Sequence, residues 1–216
     1  MAGRIGSDRP PRMNGKALPG VFVQQGKDSK ERKMKHWKTK NRRTLVKDRW
    51  ISLHADECEL PNGQVISPFY VMEEKEWVHI VALNPSGEIL LTRQYRHAAN
   101  VVCSELPCGA AEEGEEPLEA ARRELKEETG YTADEWTKVA VLFANPARQT
   151  NRIHCFLARS LTGVGAQSLD DSEQISFEFA SQAEVMRRIQ QGDFSQALHV
   201  ASYLLAIKSL NGLDEA

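Results

Sequence analysis

Residues Gly109–Tyr131 read GAAEEGEEPLEAARRELKEETGY, and this stretch decides the fold. Pro117 suits the first turn of a helix, where its missing N–H is not needed, and Gly130 suits the left-handed residue that ends one. Apolar residues recur between them at the spacing of one helix face, namely Leu118, Ala121 and Leu125. The stretch therefore predicts a helix over Pro117–Thr129 that packs on a sheet through this face.

The opposite face of the predicted helix carries Glu124, Glu127 and Glu128, three and four residues apart. Carboxylates at this spacing are neighbours and repel one another. Divalent cations that prefer oxygen ligands relieve the repulsion. Arg123 lies four residues before Glu127 and can hold that side chain by an ion pair, and Glu115 can fold back to the same end of the helix. This face therefore indicates a site for divalent metal ions.

The order of these residues resembles the Nudix box: Gly, five residues, Glu, seven residues, Arg-Glu-aliphatic, one residue, Glu-Glu, one residue, Gly. The matching positions are Gly109, Glu115, Arg123, Glu124, Leu125, Glu127, Glu128 and Gly130. Tyr131 departs from the pattern, because the family usually has an aliphatic residue there. The resemblance implies a Nudix hydrolase.

Segments outside the box resemble the ADP-ribose pyrophosphatase, or nucleoside diphosphate sugar hydrolase, branch of this family over about Leu45–Leu210. Gln94-Tyr95-Arg96 is similar to a segment whose arginine contacts the substrate diphosphate, and Glu105-Leu106-Pro107-Cys108-Gly109 is similar to the entry into the box. Pro146 lies fifteen residues beyond Tyr131, where ADP-ribose hydrolases tend to carry proline. The resemblance implies hydrolysis of ADP-ribose to AMP and ribose 5-phosphate, with Mg²⁺ as the cofactor and Mn²⁺ as a substitute.

Site residues follow from the resemblance by position. It implies that Glu124 and Glu128 are the central metal ligands and that Glu127 is a third ligand or orients water. Glu115 and the backbone carbonyl of Cys108 would complete the metal ligands. Arg123 and Glu127 count among the catalytic residues. Arg96, with Glu105, is expected in the substrate site.

Two assignments stay open. The branch tends to take its catalytic base from an acidic loop after the later strands, and here that loop offers Asp171 or Glu173. The same stretch also fits an ordinary acidic surface loop. Trp50 lies where related dimers stack an aromatic residue on the purine, but a buried core tryptophan is an equal alternative.

The rest of the chain predicts an α+β fold, an α/β/α sandwich with a mixed β-sheet and an N-terminal β-hairpin extension. Asn62-Gly63 predicts one hairpin turn and Asn84–Gly87 a second, between strands Trp77–Leu83 and Glu88–Gln94. Two helices close the chain, near Gln182–Gln191 and Ser195–Leu210. In the second, the expected core-facing residues are Ala197, Val200, Ala201, Leu204 and Leu205.

Charge divides the chain into a basic and an acidic part. Residues 1–49 hold 15 Lys or Arg against 4 Asp or Glu, and the rest holds 13 against 26. We expect a flexible basic tail over 1–44, a hairpin region over 45–75 that contacts a partner subunit, and the hydrolase domain over 76–216. The basic run Lys30–Arg49 suggests nucleic-acid contact, although a solvated tail is favoured over it.

Four scattered cysteines without a CxxC pair, no apolar stretch of membrane-spanning length and no secretory signal favour a cytoplasmic protein without membrane contact. The resemblance implies a homodimer. The alternatives for function are a hydrolase of GDP-mannose or another nucleotide sugar, an RNA 5′-end pyrophosphohydrolase, and a ligand-sensing domain without catalysis.

Overall fold

The first structural unit is an N-terminal antiparallel sheet. The structure, a computed structural model, describes residues 35–163, 165–170 and 173–213. Strands β1 (Lys38–Lys47), β2 (Ser52–Glu59) and β3 (Val65–Glu73) pair in the order β1-β2-β3. The predicted hairpin between β2 and β3 is confirmed, since Leu60 N–H donates to Gln64 O at 2.8 Å around the turn.

Strand β1 corrects the predicted domain boundary. Residues 38–44 were expected in a flexible tail, but they pair with β2, and the Arg42 guanidinium donates to both Asp56 carboxylate oxygens at 2.8 Å. All side chains of this edge strand are exposed, so its sequence lacks the apolar alternation that marks a strand. The extension is therefore three-stranded. Residues 1–34 of the expected tail lie outside the described residues.

Two further sheets form the body of the molecule. A four-stranded sheet has the order β7-β4-β9-β8, and a three-stranded sheet has the order β10-β5-β6. Their strands are β4 (Trp77–Ala82), β5 (Ile89–Arg96), β6 (Val101–Glu105), β7 (Cys108–Ala110), β8 (Tyr131–Phe143), β9 (Arg152–Gly163) and β10 (Ser176–Ala180). Strands β4 and β9 run parallel and the other pairs antiparallel, so the expected mixed α+β architecture is confirmed.

The second predicted hairpin is only half correct. The turn forms, with Asn84 N–H donating to Glu88 O at 3.0 Å, but the flanking strands enter different sheets and meet only at a bridge between Leu83 and Ile89. Strand β4 is central and already pairs with β7 and β9. Both edges of β4 are therefore occupied, which leaves none for β5. The continuous apolar stretch Ile80–Leu83 is typical of such a central strand, which is buried on both faces.

Helices pack on both faces of this body. Helix α1 (Pro117–Thr129) buries Leu125 against a core that includes Val78 and Ile80 of β4. Helices α2 (Gln182–Gln191) and α3 (Ala197–Leu213) pack against the core that contains Val81. Alternate residues of β4 thus face opposite helical layers, as a strand period of two requires.

Helix α3 buries only part of the face that its apolar residues predict, and of the predicted residues Val200 packs against the core. Leu204 is 46% exposed and Leu205 is also exposed, whereas His199, Ser202 and Tyr203 are buried. The buried polar groups are hydrogen-bonded within the core, for example the Ser202 hydroxyl to Leu198 O at 2.8 Å. Hydropathy alone therefore identifies only part of the buried face of α3. In the described part of the chain, no helix combines the length and apolar character needed to cross a membrane.

Candidate active site

The carboxyl-terminal half of α1 is held by the loop that follows β9. Gly130 ends the helix with a φ of 71°. Beyond it, Ser168 N–H donates to Glu127 O at 2.8 Å, and the Gln167 side-chain amide donates to Glu128 O. These bonds satisfy carbonyls that have no partner inside the helix. Because the same loop leads to Glu173, the helix and the predicted base are brought together.

Glu124 and Glu128 form the centre of the site. The Glu128 carboxylate is 4% exposed and accepts a hydrogen bond from Cys108 N–H at 3.0 Å. Burial raises the pKa of Glu128 well above its ordinary value, and burial raises the pKa of Glu124 to about 7. The charge of Glu173 also raises the pKa of both groups. Glu124, Glu128 and Glu173 therefore lie close enough for their charges to affect one another.

Arg123 connects the other acids of the helix to this centre. Its guanidinium donates to Glu115 at 2.9 and 3.0 Å, to Glu124 at 2.8 Å and to Glu127 at 3.0 Å. A further bond reaches Ala110 O at 3.1 Å. The arginine thus neutralises and orients three carboxylates at once, which is a positioning role. The expected folding back of Glu115 to the helix is present through this contact.

Arg96 lies at the edge of the same site and is held by Glu105. The Arg96 side chain donates to the Glu105 carboxylate at 2.9 Å through Nε and at 2.5 Å through a terminal nitrogen. Glu105 is 1% exposed and also accepts from the Cys103 thiol at 3.2 Å. Its oxygens are engaged, so in this structure Glu105 orients Arg96. The other neighbour of Arg96 is Cys108 Sγ, at 3.8 Å.

Two buried histidines belong to the surroundings of Arg96 and were missed from the sequence. Leu106 N–H donates to His199 Nδ1 at 3.0 Å, which places the proton of the neutral ring on Nε2, 3.9 Å from the Glu105 carboxylate. Burial lowers the pKa of His199 to about 3. His79 stacks on this ring with centroids 4.0 Å apart. Sequence spacing could not have placed His199 beside Leu106, because the two residues are 93 positions apart in the chain.

Glu105, Cys108 and His199 offer ligand-type atoms within 4.8 Å of one another, but they do not fit a metal ion. His199 Nδ1 accepts from the backbone and Nε2 carries the proton, and the charge of Glu105 is balanced by Arg96. Burial raises the pKa of the Cys108 thiol well above its usual range, so it stays protonated. A metal ligand must be deprotonated. The carboxylates of α1 are the better donor set.

Two predicted residues lie apart from this centre. Trp50 is 72% exposed in the turn between β1 and β2, with the Arg49 guanidinium 4.4 Å from its ring centroid. The alternative of a buried core tryptophan is therefore wrong, and its purine-stacking role stays a prediction. Asp171 lies outside the described residues. The structure places Cys108 beside Glu128 through its N–H, and the role of its carbonyl stays a prediction as well.

Comparison with known proteins identifies this arrangement. The NUDIX domain model matches residues 74–198, and the nucleoside diphosphate sugar hydrolase N-terminal domain matches residues 37–72. An ADP-ribose pyrophosphatase of Bacillus subtilis is 34% identical over 137 residues, which are 63% of this chain and 74% of that protein. A GDP-mannose pyrophosphatase of Pectobacterium atrosepticum is 28% identical over 165 residues, 68% of this chain and 85% of that one.

A crystal structure of an ADP compounds hydrolase has the same fold, with a TM-score of 0.76 and 24% identity over 85% of this chain and 98% of the other. The chain therefore belongs to the Nudix family of hydrolases. Its three-stranded N-terminal sheet coincides with the match to the N-terminal domain of nucleoside diphosphate sugar hydrolases. The acidic face of α1 carries the glutamates of the Nudix box.

Proposed function

We propose that this enzyme hydrolyses the diphosphate bridge of a nucleoside diphosphate sugar, with ADP-ribose as the substrate and AMP and ribose 5-phosphate as products. One arrangement carries the proposal. The buried Glu128 carboxylate accepts from Cys108 N–H, and the Arg96 guanidinium lies 3.8 Å from Cys108 Sγ. Glu124 lies on the same helix face and is partly buried, and burial raises the pKa of both carboxylates. A cationic group beside a candidate metal site is suited to a bridging diphosphate.

The donor set fits Mg²⁺, with Mn²⁺ as a substitute. Burying carboxylates without a counter-charge is costly, and the raised pKa values express that cost. Glu124 and Glu128 would hold the metal, with Glu115, Glu127 and the carbonyl of Cys108 completing the shell. When bound, the ion neutralises the diphosphate and lowers the pKa of a water molecule. Arg123 keeps Glu115 and Glu127 oriented toward this position.

Glu173 is our first candidate for the general base, with Asp171 as the alternative. The Glu173 charge acts on both Glu124 and Glu128, and Asp170 N–H donates to its carboxylate at 3.1 Å. Turnover of Glu173→Gln and Asp171→Asn would separate the two. If Glu173 is the base, only Glu173→Gln loses about 100-fold or more in kcat, and wild-type turnover in that variant would exclude it.

The substrate is tested by a panel of sugar nucleotides with product identification. We expect AMP and ribose 5-phosphate from ADP-ribose in the presence of Mg²⁺, faster than products from GDP-mannose. A preference for GDP-mannose would support the second candidate, for which the Pectobacterium relative is the specific observation. Release of no monophosphate from any sugar nucleotide would end the proposal. Trp50→Ala is expected to raise KM if this exposed ring stacks on the purine.

An RNA 5′-end pyrophosphohydrolase is less well supported, because part of the basic run is neutralised in β1. Lys40 pairs with Glu59 at 3.0 Å and Arg42 with Asp56 at 2.8 Å. A truncation that tests RNA binding should remove only residues 1–34, since residue 38 begins a strand. The intact box glutamates argue against a ligand-sensing domain without catalysis, and the paired basic residues of β1 argue against nucleic acid as a partner.

We also propose a homodimer that forms through the N-terminal sheet. This sheet exposes the large apolar side chains of Leu45, Val46, Val65 and Tyr70, and Trp37 is exposed just before it. Several exposed apolar side chains in one small region are suited to a protein interface. Light scattering at micromolar concentration should give twice the chain mass, and a monomer would contradict the proposal. All four cysteines are free thiols, which suits the cytoplasm as the predicted location.

A further inference from the structure

His199 is a buried polar side chain that the metal and diphosphate chemistry described above does not use. It lies in the first turn of α3 and is 2% exposed. Leu106 N–H donates to its Nδ1 at 3.0 Å. A buried backbone N–H without a partner is costly, and this ring nitrogen supplies the partner. His199 thereby holds the chain in place directly after Glu105.

The His199 ring is itself held by a second buried histidine. His79 of the central strand β4 stacks on it, with the ring centroids 4.0 Å apart and the planes 20° apart. The Ser202 hydroxyl donates to Leu198 O, so the His79 ring donates to this hydroxyl through Nδ1 at 3.0 Å. Both His79 and Ser202 are buried. Packing therefore fixes the orientation of the His199 ring.

The bond from Leu106 acts on the residue that orients Arg96. Leu106 N–H belongs to the peptide group that follows Glu105, and the Glu105 carboxylate accepts from Arg96 Nε at 2.9 Å. At 3.9 Å, His199 Nε2 is too far from this carboxylate for a hydrogen bond. The influence of His199 on Glu105 therefore passes through the backbone.

Arg96 depends on this support, because its side chain is 34% exposed and its guanidinium is held by Glu105. A displacement of about 1 Å in a group that orients a substrate lowers the rate by up to about 100-fold. On the assumption that the proposed function is correct, we propose that His199 is a positioning residue. It holds the peptide after Glu105, and through Glu105 it fixes the Arg96 guanidinium for the substrate diphosphate.

Two substitutions separate the hydrogen bond from the burial of a polar side chain. In His199→Asn the side-chain oxygen lies at the position of Nδ1 and can still accept from Leu106 N–H. In His199→Gln the amide lies one bond further out, at the position of Nε2, and this acceptor is lost. We expect hydrogen exchange of the Leu106 amide, measured by NMR, to be about tenfold faster in His199→Gln. Exchange in His199→Asn should stay close to that of the wild type.

The effect on the reaction is measured as kcat/KM for ADP-ribose with Mg²⁺, on the full chain, in a double-mutant cycle with Arg96→Lys. Lysine keeps the charge beside Glu105 but lacks the planar fork of the guanidinium. Alone, His199→Gln should lower kcat/KM by about tenfold, mainly through KM, and His199→Asn should stay within about twofold of the wild type. Combined with Arg96→Lys, His199→Gln should cause no further loss, because the residue through which it acts has already been changed.

Tyr203→Phe is the control on the same helix. Tyr203 is 1% exposed, and its hydroxyl donates to Gln182 O of α2 at 3.3 Å. The substitution removes one buried hydrogen bond that does not involve the chain after Glu105. It should lower the melting temperature without changing kcat/KM.

Three results would overturn the inference: unchanged exchange of the Leu106 amide in His199→Gln, equal activity of His199→Gln and His199→Asn, or a loss of the same size with and without Arg96→Lys. The last would mean that His199 only stabilises the fold. Failure of the proposed function would show separately, as absence of ADP-ribose hydrolysis by the wild type. The same cycle is then read from the Kd of inorganic pyrophosphate, measured by calorimetry with Mg²⁺.

Discussion

Gly109 lies directly against the carboxylate of Glu124, so that a methyl group on residue 109 would overlap the carboxylate atoms. The glycine is required here for space and not for a positive φ. We predict that Gly109→Ala displaces Glu124 and lowers kcat by about 100-fold or more, as changes around metal ligands do, while thermal unfolding changes little. Turnover and the melting temperature are the measurements.

Gly163→Ala is the matched control for that substitution. A methyl group there would meet Tyr131 at an ordinary contact distance of 3.5 Å. It should leave activity unchanged. Equal activity in Gly109→Ala and Gly163→Ala would show that the position of Glu124 does not matter for catalysis.

Glu128→Gln tests the buried metal ligand. The amide can still accept the hydrogen bond from Cys108 N–H, so the fold should be retained. It cannot supply a negative charge, and we expect kcat to fall by about 100-fold or more. Glu119→Gln, on the exposed side of the same helix, is the control and should behave like the wild type. Near-normal turnover of Glu128→Gln would mean that the metal site has been misplaced.

Gly130→Ala should reduce both stability and turnover. The φ of 71° disfavours any side chain, at about 1 kcal/mol, and the methyl group would also overlap the carbonyl of Gly165. That overlap pushes the loop carrying Glu173 away from α1. Gly192→Ala has the same strain, with a φ of 85° but open space around the added methyl. Denaturant unfolding should show a larger loss at Gly130, and only there a loss of kcat; equal effects would refute the steric argument.

Arg123→Gln removes the positive charge that offsets the repulsion among the carboxylates of Glu115, Glu124 and Glu127. We predict a lower melting temperature without metal and a larger increase on addition of Mg²⁺ than in the wild type, because the ion replaces the missing positive charge. Arg122→Gln removes an exposed arginine that pairs with Glu119 and should change stability by less than about 0.5 kcal/mol. An unchanged response to Mg²⁺ in Arg123→Gln would count against metal binding by these acids.

We expect the ion pairs of Arg188 to contribute to the decrease in folding stability at acidic pH. Its guanidinium donates to Glu178 at 2.7 Å and to Glu184 at 2.8 Å. Arg188 lowers the pKa of Glu178, and Arg187 with Arg188 lowers the pKa of Glu184 to about 2. A lowered pKa stabilises the fold above the ordinary value of 4.5, and this contribution is lost as the pH falls toward 2. Arg188→Met should therefore narrow the difference in stability between neutral and acidic pH, measured by urea unfolding; an unchanged difference would disprove the role.

The sequence predicted the local features of the site well, because they depend on neighbours along the chain. Pro117 and Gly130 marked both ends of α1 correctly, and the predicted ion pair between Arg123 and Glu127 is present. Helix α2 also has its predicted bounds, with Ser181 capping it by accepting from Glu184 N–H.

Features that depend on distant segments could not be predicted in the same way. The contacts of Gln167 and Ser168 with α1 join residues about forty positions apart. His199 enters the core through hydrogen bonds that hydropathy does not express, which also explains why the predicted face of α3 is only partly buried. The strand β1 was missed because an exposed edge strand has no buried face to produce a pattern.

The junction between β3 and the segment before β9 ties the N-terminal sheet mechanically to the Nudix domain. Met72 N–H donates to Arg148 O at 2.7 Å, and Thr150 N–H donates to Met72 O at 3.2 Å, on either side of Gln149. Any shift of the N-terminal sheet would therefore carry Gln149 with it. A force applied to the N-terminal sheet would therefore reach the segment that leads into β9 through these two backbone bonds.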